Sequence, residues 1–82
     1  MAALNATAVK AVSELWHKNR TCRVAVRFAY NHHNRSTEMT VAHLLQNGKA
    51  LVRTHRPIRR STAVDMAQHL QQAGWDLCSP CW

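Results

Sequence analysis

TEMTVAHLLQNGKALVRTHRPIRR, residues 37–60, decides how this chain is read. Asn47-Gly48 stands between two runs of alternating character. Asn-Gly favours a two-residue type I′ hairpin turn, because both central residues of that turn need φ above zero. The turn sets a register in which Gln46 faces Lys49, Leu45 faces Ala50, His43 faces Val52 and Val41 faces Thr54. Successive strand side chains alternate sides. One face is therefore expected to carry Met39, Val41, His43, Leu45, Ala50 and Val52, and the other Thr40, Ala42, Leu44, Leu51, Arg53 and His55. The second strand, residues 49–55, runs into Arg56, Arg59 and Arg60. Pro57 lacks an N–H and is expected to end the pairing.

Upstream, residues 22–30 alternate with period two. Cys22, Val24, Val26, Phe28 and Tyr30 share one parity, and Arg23, Ala25, Arg27 and Ala29 the other, as in a half-buried antiparallel strand. The polar residues 31–36, with His32 and His33, form a loop to the hairpin. Further upstream, Ala8, Val9, Val12, Leu15 and Trp16 recur at helical spacing, with Lys10, Glu14 and Lys18 at four-residue intervals on the other side. That pattern predicts a helix over residues 5–18, capped by Asn5 or Thr7, with Trp16 as a core anchor.

Downstream, Ser61 or Thr62 can cap a second helix over residues 61–73, with Thr62 and Asp65 spaced as a capping-box variant. Ala63, Met66, Ala67 and Leu70 supply its buried face, and Gly74 its left-handed C-terminal residue. Residues 75–82 make a short apolar tail interrupted by Pro80. The expected fold is thus a single α+β domain spanning residues 1–82, in the order α-β-β-β-α: a three-stranded antiparallel sheet with both helices packed on one face. The uncovered face would display Arg23, Arg27, Arg53 and His55.

Eleven Lys and Arg against four acidic residues give a formal charge of +7. Such a balance fits nucleic acid or an acidic protein as partner. The 46% hydrophobic content fits a folded globule. No apolar run approaches the roughly 20 residues of a membrane span, and Met1 to Leu4 do not start a secretory signal, so no membrane association is expected. Three cysteines make a poor disulfide framework, which points to a reducing, cytoplasmic setting.

Arg53, His55, Arg56, Arg59 and Arg60 gather at a predicted helix N-terminus, where free N–H groups and guanidiniums together hold anions. The expected element order resembles the topology of double-stranded RNA-binding domains, which present a basic second-helix N-terminus and a groove-reading loop between their first two strands. Arg59-Arg60 and the His32-His33 loop stand in those places. Ser61-Thr62-Ala63 follows where that family continues with lysines, so membership is not assigned. Cys78-Ser79-Pro80-Cys81 has zinc-ligand spacing but no second pair, and it lacks the βαβ context of a thioredoxin-like redox motif. No metal or cofactor is expected. The four carboxylates and two glycines leave no nucleophile–base arrangement and no phosphate loop, so no catalytic residues are assigned and an enzyme is not expected.

These features lead to a small, non-enzymatic nucleic-acid-binding protein, for duplex RNA or DNA. Its surface would comprise Arg23, Arg27, Arg35, Arg53, Arg56, Arg59 and Arg60, with His32 and His33 adding groove contacts. The alternative is an adaptor or inhibitor of the phage or mobile-element type, which engages an acidic protein and uses Trp75, Leu77 and Trp82 as interface anchors. Homodimerisation through a sheet edge is a further expectation.

Overall fold

The computed structural model of the chain describes residues 12–82. Its elements follow in the order β1 (Val12–Asn19), β2 (Val24–Asn31), β3 (Ser36–Leu44), β4 (Ala50–Ile58), α1 (Arg60–Gln72) and β5 (Asp76–Cys78). The strands form one antiparallel sheet in the order β4-β3-β2-β1-β5. Four strands meander, the chain crosses one face of the sheet as α1, and β5 returns beside β1.

This corrects the expected α-β-β-β-α order. A five-stranded sheet with a single helix among the described residues replaces three strands and two helices. The helix expected over residues 5–18 is overturned where it can be compared: Val12–Asn19 is a strand paired on both sides, with β2 and with β5. The remainder of that stretch, with the Asn5 or Thr7 cap, lies outside the described residues. The misreading has a physical cause. Leu15 and His17 point to the helix-covered side, and Trp16 points to the opposite side, where Trp82 packs on it with ring centroids 4.3 Å apart. A strand with partners on both faces loses its period-two pattern. Trp16 is buried as expected of a core anchor, but from a strand. With β1 in place of a first helix, the topological resemblance to double-stranded RNA-binding domains no longer holds.

The Asn47-Gly48 hairpin forms with a different turn. Gly48 alone of the two has positive φ, at 83°. Its N–H donates to Leu45 C=O at 3.1 Å, and Leu45 N–H donates to Lys49 C=O at 2.8 Å. That is a three-residue loop with a left-handed glycine rather than a type I′ turn. Leu44 therefore pairs with Ala50 and His43 with Leu51, one position from the expected register. A bulge between Val41 and Ala42 restores it, so Val41 faces Thr54 as expected. The other two meander turns share a construction that repeats in sequence as Asn-x-x-x-Arg. Asn19 Oδ1 accepts the N–H groups of Thr21 and Cys22, and Asn31 Oδ1 accepts those of His33 and Asn34. Each turn then closes with an arginine in the left-handed region, Arg23 at φ 54° and Arg35 at φ 56°.

The helix packs where its small residues allow close approach. Ala63 and Ala67 are buried against Val26, Phe28 and Met39, with Val41, Ile58, Met66, Leu70 and Trp75 around them. Ala63, Met66, Ala67 and Leu70 are the face expected from their spacing. The helix ends at Ala73 and Gly74 as the sequence implies. Gly74 (φ 95°) donates to Gln71 C=O, and Trp75 N–H reaches back to Leu70 C=O at 2.9 Å, satisfying carbonyls left open at the helix end.

His17 lies beneath this helix, fully buried. Its Nε2 accepts from the Gln71 side-chain amide at 3.3 Å, and its ring meets Phe28 edge-on. Its Nδ1 has no partner. Burial without a counter-charge holds the imidazole below its ordinary value of 6.5. The unfolded chain therefore binds the proton more readily than the folded one. Stability from this group is complete above about 6.5 and is lost as pH falls below it. Urea denaturation across a pH series should show falling stability on acidification through this window, and His17→Leu should flatten that fall.

Candidate nucleic-acid interface

β4 is an edge strand, and apart from its two terminal residues it is exposed along its whole length. This explains why Pro57 sits inside the pairing rather than ending it: opposite Glu38 at an edge, its missing N–H interrupts no ladder on the far side. The bulge also moves Arg53. The partner of Val41 is Thr54 and that of Ala42 is Val52, so Arg53 is the extra residue, with no partner of its own on β3. Arg56 pairs with Met39 and therefore projects on the helix side of the sheet.

Two residues beyond the strand the helix begins, with Arg59 as its N-cap in extended conformation and Arg60 as its first residue. Ser61 and Thr62 thus fall inside the helix, and neither serves as its cap. Arg59 makes no side-chain cap hydrogen bond, and no acidic residue occupies the first turn. The first N–H groups are consequently open, and the positive end of the helix dipole faces cations. For the helix itself that arrangement is unfavourable.

Arg60 is ordered by an aromatic neighbour. Its guanidinium lies 4.4 Å from the centroid of the Tyr30 ring. Tyr30 in turn meets His32 edge-on at 4.7 Å, and His32 Nε2 is 2.6 Å from Ser13 Oγ. The β2–β3 turn carrying His32, His33 and Arg35 is therefore at the same end of the sheet as the start of α1, since Thr37 at the head of β3 pairs with both Tyr30 and Ile58. The fold brings together Arg35, Arg59, Arg60, His32 and His33, with Arg56 and Arg53 continuing along β4. Tyr30 was missed as a member of this group, because its contact with Arg60 joins residues far apart in the chain.

Other expected site residues lie elsewhere. Arg23 is in the β1–β2 turn, at the opposite end of the sheet. Arg27 is on the face away from the helix, half-buried, 3.6 Å from Glu14 and above the Trp16 ring. His55 shares that face, with Nδ1 2.7 Å from Thr40 Oγ1 and Nε2 3.6 Å from Glu38. Of the three arginines and one histidine expected together on the uncovered face, Arg27 and His55 are there, facing Glu14 and Glu38, whereas Arg23 lies in the β1–β2 turn and Arg53 in the β4 bulge. Arg20 pairs with Asp76 at 3.1 Å and ties the β1–β2 turn to β5. Arg35, Arg53, Arg56, Arg59 and Arg60 have no carboxylate partner among the described residues.

In the tail, Trp75 packs against the core, Leu77 is exposed on β5, and Trp82 lies on Trp16. Among the described residues no cluster of three or more metal-ligating side chains occurs, and no helix is long and apolar enough to cross a membrane.

Cations at an uncapped N-terminus make a direct forecast. Arg59→Asp supplies both a capping oxygen and a negative charge at the dipole's positive end, and should stabilise the fold by about 1 kcal/mol in urea denaturation.

No family model, curated protein or solved structure matches the chain.

Proposed function

We propose that this protein binds nucleic acid by gripping the phosphate backbone of a duplex, RNA or DNA, with Arg35, Arg53, Arg56, Arg59 and Arg60. One observation carries the reading: among the described residues these arginines line the β4 edge, the β2–β3 turn and an uncapped helix N-terminus, and none has a carboxylate partner. Open N–H groups and guanidiniums are complementary to phosphate. From Arg53 to Arg59 the extended chain covers about 20 Å, or roughly six phosphate steps along one strand at about 3.4 Å of rise. His32 and His33 stand beside the band and reach toward a groove. Arg23 and Arg27 are left out of the contact set, Arg27 because Glu14 and Trp16 already engage it. The protein acts here as a binding module in the cytoplasm, without catalytic residues, cofactor or metal.

A second reading rests on the same edge. β4 exposes Leu51 and Val52 by 46% and 50%, and an unpaired strand accepts an extended segment from another protein. The surrounding arginines call for an acidic segment. They oppose a homodimer through β4, which would set Arg53 and Arg56 of both copies close together. Leu77 and Trp82 would add anchors at the other edge.

A salt series with labelled duplexes, followed by fluorescence anisotropy, separates these readings. Five phosphate contacts imply a log–log slope of about −4.5 on duplex DNA. Replacing Arg56, Arg59 and Arg60 by alanine should reduce that slope by about 3 and weaken binding at least about tenfold. Flat salt dependence, or binding unmoved by the triple substitution, sinks the phosphate reading and leaves the acidic protein segment.

A further inference from the structure

The chain's second concentration of chemistry lies at the other end of the sheet, away from the arginine band. Cys78 closes β5, opposite Trp16 on the face away from the helix. Ser79 and Pro80 turn the chain so that Cys81 Sγ lies 3.6 Å from Cys78 Sγ. Both thiols are half-buried, whereas Cys22 is exposed in the β1–β2 turn. A disulfide needs its sulfurs at about 2.05 Å, and a modest side-chain rotation covers the difference. Beside the pair is an open hollow of about 630 Å³, whose walls include Lys18, Arg20, Arg23 and residues 78–81. Lys18 and Arg23 have no carboxylate partner among the described residues. One residue past Cys81, Trp82 packs on Trp16.

We propose that Cys78 and Cys81 form a reversible intramolecular disulfide, written by a small anionic disulfide such as oxidised glutathione, which locks residues 79–82 and the Trp82 contact onto the sheet. The cationic hollow favours an oxidant that carries carboxylates. The Cys81 thiolate attacks one sulfur of the oxidant, forming a mixed disulfide and expelling one glutathione thiolate. Cys78 then loses its proton and attacks the Cys81 sulfur, expelling the glutathione held there. Two electrons leave the protein's thiols, and the two thiol protons are taken up by the two glutathione thiolates, which leave as thiols.

The order follows from the surroundings. Burial, the Cys81 hydrogen bond and the nearby charges of Cys81 and Asp76 push the Cys78 thiol up to about 11, with Lys18 pulling the other way. Cys78 is thus the poorer first nucleophile. Once Cys81 is in the mixed disulfide, its hydrogen bond and charge no longer act on Cys78, while Lys18 still does. In a reducing compartment such a pair rests as dithiol and responds to oxidation.

The test equilibrates the full chain in glutathione redox buffers, quenches in acid, alkylates free thiols and reads intact mass and peptide maps. The expected product lacks two hydrogens, carries one alkyl group at Cys22 and contains a bond between Cys78 and Cys81. Tryptophan fluorescence should change with the same midpoint. Cys22→Ser should titrate identically, and Cys81→Ser should lose both signals. Glutathione left attached to Cys78 or Cys81 in the unaltered chain would overturn the proposal. So would bonds through Cys22, or no oxidation in glutathione disulfide alone.

Discussion

Among the described residues one helix covers a sheet of five strands, and much of their packing follows from that ratio. Ala63 and Ala67 let α1 settle close onto Val26, Phe28 and Met39, which makes a dry but narrow core on one face. The other face receives no second layer of secondary structure among the described residues. It is closed by local devices: Trp82 on Trp16, Arg27 bridging Glu14 and Trp16, and the directly paired Ala25 and Ala42, both fully buried. Side chains that would be surface residues on a single-sided sheet become structural here. Arg27 is the clearest case, since its Nε is buried without a hydrogen-bond partner while its terminal nitrogen faces Glu14.

The two sheet edges are handled differently. β5 is short, three residues, and exposes little backbone to a stray strand. β4 is long and open, and is protected by charge, by Pro57 and by the bulge at Arg53. The same arginines therefore discourage edge-to-edge association and offer themselves to an anion. At the start of α1 they do so against the interest of the helix, because a cap of serine, threonine, asparagine or aspartate would serve it better. A local rule broken at a helix start is a place to seek binding.

The two ends of the sheet carry separate chemistry. One gathers Tyr30, Arg35, Arg59 and Arg60, and the other gathers the Cys78–Cys81 pair with Lys18 and Arg23. His17, buried between sheet and helix, belongs to neither and makes the core itself sensitive to acid.

The sequence alone determined whatever rests on local periodicity and turn chemistry. The strand parity of residues 24–30, the buried face Ala63, Met66, Ala67 and Leu70, the stop at Gly74 and the cluster of arginines before the helix were all legible, because each depends on neighbours a few residues away. The first strand was not, since its two buried residues, Trp16 and His17, are adjacent and face opposite sides of the sheet, and Val12, Leu15 and Trp16 fall at helical spacing. The Asn47-Gly48 register slipped because a three-residue loop and a later bulge shift pairing by one position each, and no dipeptide encodes that sum. Tertiary structure alone decided that Tyr30 meets Arg60, that Glu14 occupies Arg27, and that Trp82 lies on Trp16. Those are contacts between distant residues, and only the strand order β4-β3-β2-β1-β5 with α1 across one face brings them within reach.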